Sequence, residues 1–169
     1  MYLSENYKNM AAVHRENNEL LKALKFYLKA YKTPEGKDDI ELILDIALLY
    51  DEMNQFDEAI RKYQEVISLC PDEERAYYGI AIVYDNMDEY ESAIEYYKKC
   101  ININDRYDRA YFFLANIYDE IGEKDNAIEK YKKVIEITPD DFWSYVNLSS
   151  VYEELGEYKD ALEMINQAL

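Results

Sequence analysis

The chain contains few of the residues that build reactive or covalently stabilised sites. It has two cysteines, one histidine and four glycines among 169 residues. Cys70 and Cys100 form no short metal-binding or redox pair, so we expect both to be reduced thiols. The scattered glycines exclude a glycine-rich phosphate loop, and no Ser, His and Asp set is expected to converge on a nucleophile. The sequence therefore predicts a protein that is not an enzyme, with no catalytic residue, metal site or cofactor.

Long apolar runs are also missing, and none approaches the length of a membrane span. The first residues, 1–5, contain no basic and apolar targeting segment, so we expect a cytoplasmic protein. Basic residues are outnumbered, 19 to 36, which gives a formal net charge of −17. Because nucleic-acid affinity requires clustered Lys and Arg, this balance excludes nucleic acids and anionic membrane surfaces and favours a basic or apolar protein partner.

What the sequence does contain is a repeat. An alanine recurs every 34 residues, and each follows a tyrosine by nine residues. A further copy fits upstream around Ala23, with two extra residues that we assign to the loop at 33–37, where Pro and Gly occur. A fixed period of this length is typical of helical repeat arrays. The alanines are Ala59, Ala93, Ala127 and Ala161, and the tyrosines are Tyr50, Tyr84, Tyr118 and Tyr152.

Each copy divides into two segments whose apolar residues recur at three and four residues, which is amphipathic helix spacing. One place between the segments always carries a residue that tolerates a left-handed backbone, as a tight helix-helix turn requires. Asp72 and Asp140 each follow a proline and are predicted to cap the next helix. The turn residues are Asn18, Asn54, Asp88, Gly122 and Gly156.

This pattern resembles the tetratricopeptide repeat over nearly the whole chain; the third copy reads Tyr77, Ile80, Ala81, Tyr84, Ala93 and Tyr97. The resemblance implies an all-α fold, a right-handed α-solenoid superhelix of antiparallel helix pairs. We expect a single array over residues 1–169. Its five repeats lie at approximately 4–39, 40–73, 74–107, 108–141 and 142–169, the last being incomplete.

The resemblance also implies that the first helix of each repeat lines a concave groove that binds a peptide or a partner helix. Transferring those positions gives a set that is apolar and aromatic in its middle, as interaction surfaces often are. Some of these side chains can instead pack on the adjacent repeat. The candidate groove residues are Leu44, Leu48, Tyr78, Ile82, Phe112, Phe113, Asn116, Trp143, Val146 and Asn147.

Carboxylates recur in the last turn of four first helices, where the helix dipole disfavours them. One explanation is that they steer a basic partner, and the other is that they keep the surface soluble. We call this set the acidic rim, and its members are Asp51, Glu52, Asp85, Asp119, Glu120, Glu153 and Glu154.

The function predicted from these features is a non-catalytic scaffold that binds a protein segment, basic or apolar, in its groove. One alternative is a structural protein that stacks end to end as a homo-oligomer through the C-terminal repeat. There, Leu162, Ile165 and Leu169 occupy places that earlier repeats use against their successor. Another alternative is a regulatory or docking domain of a larger enzyme.

Overall fold

A computed structural model describes residues 2–168 of the chain. The described residues form ten α-helices and no strand, which confirms the all-α prediction. The helices are α1 Tyr2–Glu16, α2 Leu20–Tyr31, α3 Ile40–Glu52, α4 Phe56–Leu69, α5 Glu74–Asn86, α6 Tyr90–Ile103, α7 Asp108–Glu120, α8 Lys124–Ile137, α9 Phe142–Glu154 and α10 Tyr158–Ala168.

The chain divides into two compact units, residues 1–87 and residues 88–169. In the first unit α1 packs against α2, α2 against α3, α3 against α4, and α4 against α5. In the second unit α6 packs against α7, α7 against α8, α8 against α9, and α9 against α10. That one continuous array spans residues 1–169 stays a prediction.

The turns between paired helices have the backbone that the sequence predicts. Asn18, Asn54 and Asp88 have φ values of 58°, 57° and 58°, and Gly122 and Gly156 have φ values of 82° and 77°. A left-handed residue at this place ends one helix and lets the next begin within two or three residues. The prediction of five equivalent turns is confirmed.

The period of 34 residues marks the core. The alanines of the second helices are at most 3% exposed, and the tyrosines four residues later, Tyr63, Tyr97 and Tyr131, are at most 4% exposed. The ring of Tyr63 lies where a β-carbon on Gly79 of α5 would stand, so α5 needs glycine there. Small residues and large rings therefore alternate at the helix crossings, as close packing requires.

The predicted helix caps are wrong by one residue. Asp72 and Asp140 lie in the turns before α5 and α9. The caps are Glu73, whose carboxylate accepts a 3.4 Å hydrogen bond from the Arg75 backbone N–H, and Asp141. In both places the proline and the aspartate form a turn. The residue that follows them, and not the aspartate, is therefore the N-cap of the helix.

Candidate partner-binding site

The candidate residues of the first unit lie on α3 and α5, which contact each other. Leu48 is 39% exposed. Leu44, Tyr78 and Ile82 are half-buried. Each of these side chains is thus partly used in packing while keeping some apolar surface at the solvent boundary.

In the second unit, α7 presents two adjacent phenylalanines, both half-buried. The ring of Phe113 stacks on Tyr97 with 6.4 Å between centroids and a 7° interplanar angle. Phe112 meets Phe113 edge to face at 5.6 Å and Tyr131 at 6.1 Å. These contacts fix both rings, so the surface they leave to solvent is rigid.

The two candidate asparagines belong to one hydrogen-bond network. The Tyr131 hydroxyl donates a 2.6 Å bond to Oδ1 of Asn116, and Nδ2 of Asn147 donates a 3.2 Å bond to the same oxygen. Burial raises the pKa of the Tyr131 phenol, which keeps it protonated as a donor. Asn116 and Asn147 therefore connect α7, α8 and α9.

A cleft lies between the first turns of α7 and α9. Its volume is about 220 Å³, and its aromatic wall consists of Phe112, Phe113 and Trp143. Trp143 is 63% exposed, the most exposed aromatic side chain of α9. Val146, the remaining candidate on α9, is half-buried and does not line this space. We call this space the Trp143 cleft; its other lining residues are Asp108, Arg109, Val134 and Asp141.

Two carboxylates border the Trp143 cleft at helix starts, where the dipole favours negative charge. Oδ2 of Asp108 accepts a 2.8 Å bond from the Thr138 hydroxyl. Oδ2 of Asp141 accepts a 2.8 Å bond from the backbone N–H of Ser144. Both charges are thereby held beside the aromatic wall.

Sequence reasoning did not select Asp108, Arg109, Val134 or Asp141 as site residues. A signal for two of them was available, because Asp108 and Arg109 precede Phe112 by four and three residues and so share its helix face. Val134 and Asp141 reach the cleft from α8 and from the start of α9. Their contribution depends on how the helices pack.

In the first unit, Asp51 and Glu52 of the acidic rim contact side chains of neighbouring helices. Glu52 of α3 forms an ion pair with Arg15 of α1, which also lies 3.7 Å from Asp45. Asp51 accepts a 3.3 Å bond from Nδ2 of Asn86, and burial raises the pKa of the Asp51 carboxyl. These carboxylates connect one repeat to its neighbour.

The second unit repeats this arrangement. Lys124 lies 2.6 Å from Asp119 and 2.5 Å from Glu154, so one ammonium joins the ends of α7 and α9. Glu120 accepts a 2.7 Å bond from the Tyr90 hydroxyl, which raises the pKa of Tyr90 to about 12. Asp51, Glu52, Asp119, Glu120 and Glu154 therefore have a structural role that the helix-dipole argument missed. Of the remaining rim carboxylates, Asp85 is half-buried and Glu153 is exposed.

Comparison with known proteins agrees with this architecture. A family profile described as TPR repeat matches residues 47–88 and 115–156, and two described as tetratricopeptide repeat match 74–107 and 144–169. The chain belongs to the tetratricopeptide repeat family. A search of curated protein sequences gives no match.

Solved structures extend the likeness over the chain. One described as MamA protein is 27% identical with a TM-score of 0.82, and the match covers 99% of this chain and 90% of that one. Residues 41 to the end of MamA from Desulfovibrio magneticus RS-1 are 18% identical, with a TM-score of 0.83 and coverage of 99% and 94%.

A third structure is YrrB, described as a TPR protein with an unusual peptide-binding site. It is 22% identical with a TM-score of 0.71, and the match covers 96% of this chain and 82% of that one. Family and fold together define a protein-interaction scaffold. Among the described residues, no helix is long and apolar enough to cross a membrane.

Proposed function

We propose that the second unit binds an extended segment of a partner protein by seating a large apolar side chain in the Trp143 cleft. The observation that carries this proposal is a 63% exposed tryptophan beside two fixed phenylalanine rings and an open space of about 220 Å³. Burying one leucine or phenylalanine side chain there contributes about 1.5–3 kcal/mol. Rigid aromatic anchors of this kind concentrate binding energy at interfaces.

The charges around the Trp143 cleft specify the rest of the segment. Two carboxylates, Asp108 and Asp141, and one guanidinium, Arg109, line it, so its local charge is negative, as is the net charge of the chain, −17. A lysine or arginine next to the apolar anchor would meet these carboxylates and would be drawn by the overall field. The partner segment therefore pairs an aromatic or leucine anchor with basic neighbours.

The patch on α3 and α5 serves the same function in the first unit. Leu44, Leu48, Tyr78 and Ile82 offer an apolar surface that suits contact with an extended chain. Peptide binding by YrrB, a protein of the same fold, supports this use of the architecture.

Peptide selection tests the proposal directly. Random peptides displayed on phage are selected on the wild-type protein, and enriched sequences are measured by calorimetry against Trp143→Ala and Ile121→Ala. Ile121 is a matched control because it is 41% exposed and lies at the other end of α7, away from the cleft. We expect anchors flanked by Lys or Arg, an affinity loss of about tenfold or more for Trp143→Ala, and less than about twofold for Ile121→Ala. Peptides without such a motif, or equal binding by both variants, would refute the proposal.

A further inference from the structure

Helix α2 differs from the second helices of the other repeats. Leu21 stands where the later repeats have Asp57, Glu91, Asp125 and Lys159. Leu28 stands where they have Gln64, Lys98, Lys132 and Asn166. Two places that are otherwise charged or polar are thus apolar in this helix alone.

The charge of α2 is equally unusual. Residues 20–32 contain four lysines and no acidic residue, although the whole chain carries 36 acidic and 19 basic residues. Among the ten described helices, α2 is the one that has no carboxylate. Lys22 pairs with Glu19 at 2.6 Å, whereas Lys25 and Lys32 are exposed and form no ion pair with any described residue.

These residues form one surface. Leu21 is 74% exposed, Leu24 and Leu28 are half-buried, and the three line a shallow depression with Lys25, Lys29 and Lys32. We call these six residues the α2 face. The spacing of three and four residues places all of them on one side of the helix.

A surface of the opposite charge lies on α10. Tyr158 and Leu162 are 72% and 62% exposed and lie four residues apart on one side of the helix. Glu157 and Glu163 are exposed beside them, together with one cation, Lys159, which lies three residues before Leu162. We call Tyr158, Leu162, Glu157 and Glu163 the α10 face. Residues 153–163 contain five acidic residues and one lysine.

We propose that the α2 face of one copy of this chain binds the α10 face of a second copy, so that copies associate head to tail. Each face exposes apolar side chains, and lysines on one meet carboxylates on the other, which favours this pairing. Pairing α2 with α2, or α10 with α10, would oppose like charges. The Trp143 cleft takes no part in this contact, because its residues belong to neither face.

The contact is heterologous, because the two copies contribute different surfaces to it. A pair of copies therefore still has one unoccupied α2 face and one unoccupied α10 face. Two single helices bury less area than a standard protein interface, so the association is weak. Leu169, which the sequence places at the same edge as Leu162 and Ile165, lies outside the described residues.

Sedimentation velocity of the full chain from about 10 µM to about 500 µM, without peptide, tests the pairing. One variant carries Leu21→Asp and Leu28→Gln, the residues that repeat two has at these places, and the other carries Leu162→Glu. We expect the average mass of the wild type to rise with concentration. The average mass of each variant should stay at that of one chain. Leu69→Gln, an exposed position on α4, is the control and should behave as wild type. Circular dichroism checks the fold of each variant.

Mixing the two variants gives the decisive result. Each retains one intact face, so an equimolar mixture should form a species of two chains and nothing larger, and about 0.5 M NaCl should weaken it. A mixture that stays monomeric, variants that associate as the wild type does, or a wild type that is monomeric throughout would overturn the proposal. A monomeric wild type that binds phosphatidylserine vesicles through Leu21 and Leu28 would assign the α2 face to membranes instead.

Discussion

The hydroxyl of Tyr131 donates a 2.6 Å hydrogen bond to the amide oxygen of Asn116. The repeat pattern predicts Tyr131 as core and Asn116 as groove, and this bond makes the two dependent on each other. The side chain of Asn147 joins the same oxygen from α9. The proposed partner-binding surface is therefore positioned by the buried tyrosine beneath it.

We predict that Tyr131→Phe lowers the free energy of unfolding by about 0.5–1.5 kcal/mol, because Asn116 loses its shortest hydrogen bond and keeps only the bond from Asn147. Urea unfolding monitored by circular dichroism measures the change. Tyr158→Phe is the matched control, since its ring is 72% exposed and should give no change. Equal stability of both variants would mean that water replaces the bond without cost.

The buried phenols make stability depend on alkaline pH. Burial raises the pKa of Tyr63 and of Tyr131 in the folded state, whereas a tyrosine in the unfolded chain titrates at about pH 10. Above that pH the unfolded chain loses protons that the folded chain retains, so stability falls as pH rises. Urea midpoints measured between about pH 8 and about pH 11 should decline most above about pH 10, and less steeply in Tyr131→Phe. A flat profile would contradict the burial argument.

Gly79→Ala tests the crossing between α4 and α5. Alanine favours a helix interior by about 1 kcal/mol over glycine. Overlap of its β-carbon with the Tyr63 ring costs about 1–3 kcal/mol, so we expect net destabilisation. In a Tyr63→Leu background, which removes the ring, the same substitution should become neutral or stabilising. A thermal denaturation cycle of the four proteins measures the coupling, and additive effects would reject the contact.

Substitutions at Asp119 and Glu153 distinguish a structural role of the acidic rim from a role in steering a basic partner. Asp119→Asn removes a partner of Lys124, and we expect a loss of stability of about 0.5–1 kcal/mol, because the pair is partly exposed. Glu153→Gln should leave stability unchanged and slow the association of a basic peptide at low salt. Denaturation and stopped-flow kinetics measure the two effects. If Glu153→Gln leaves the association rate unchanged at every salt concentration, the carboxylate serves solubility.

Phe112 and Trp143 both line the cleft but differ in packing. Phe112→Ala removes ring contacts with Phe113 and Tyr131, so it should lower both stability and peptide affinity. Trp143→Ala removes a largely exposed ring and should lower affinity by about tenfold or more with the melting temperature nearly unchanged. Calorimetric binding and thermal melts distinguish them, and a large drop in melting temperature for Trp143→Ala would make it a core residue.

The sequence by itself determined the helices, the turns and the core. These follow from local rules: amphipathic spacing sets the helices, and Asn18 or Gly122 supplies the left-handed residue that ends one. Burial of Ala127 and Tyr131 follows as well, because a repeated unit must use the same face at every crossing. The caps at Glu73 and Asp141 show the limit of this reasoning, since a turn after proline displaced each helix start by one residue.

The tertiary structure alone decided what surrounds the surface residues. Lys124 joins Asp119 to Glu154 of the next repeat, and Val134 of α8 completes the Trp143 cleft between α7 and α9. Such contacts depend on the angle at which helices cross and on the rotamers that fill the gap between them. The repeat period determines which helix faces pack against each other. Whether a cleft or an ion pair forms depends on distances of a few ångströms between side chains, and these distances are determined only when the helices have packed.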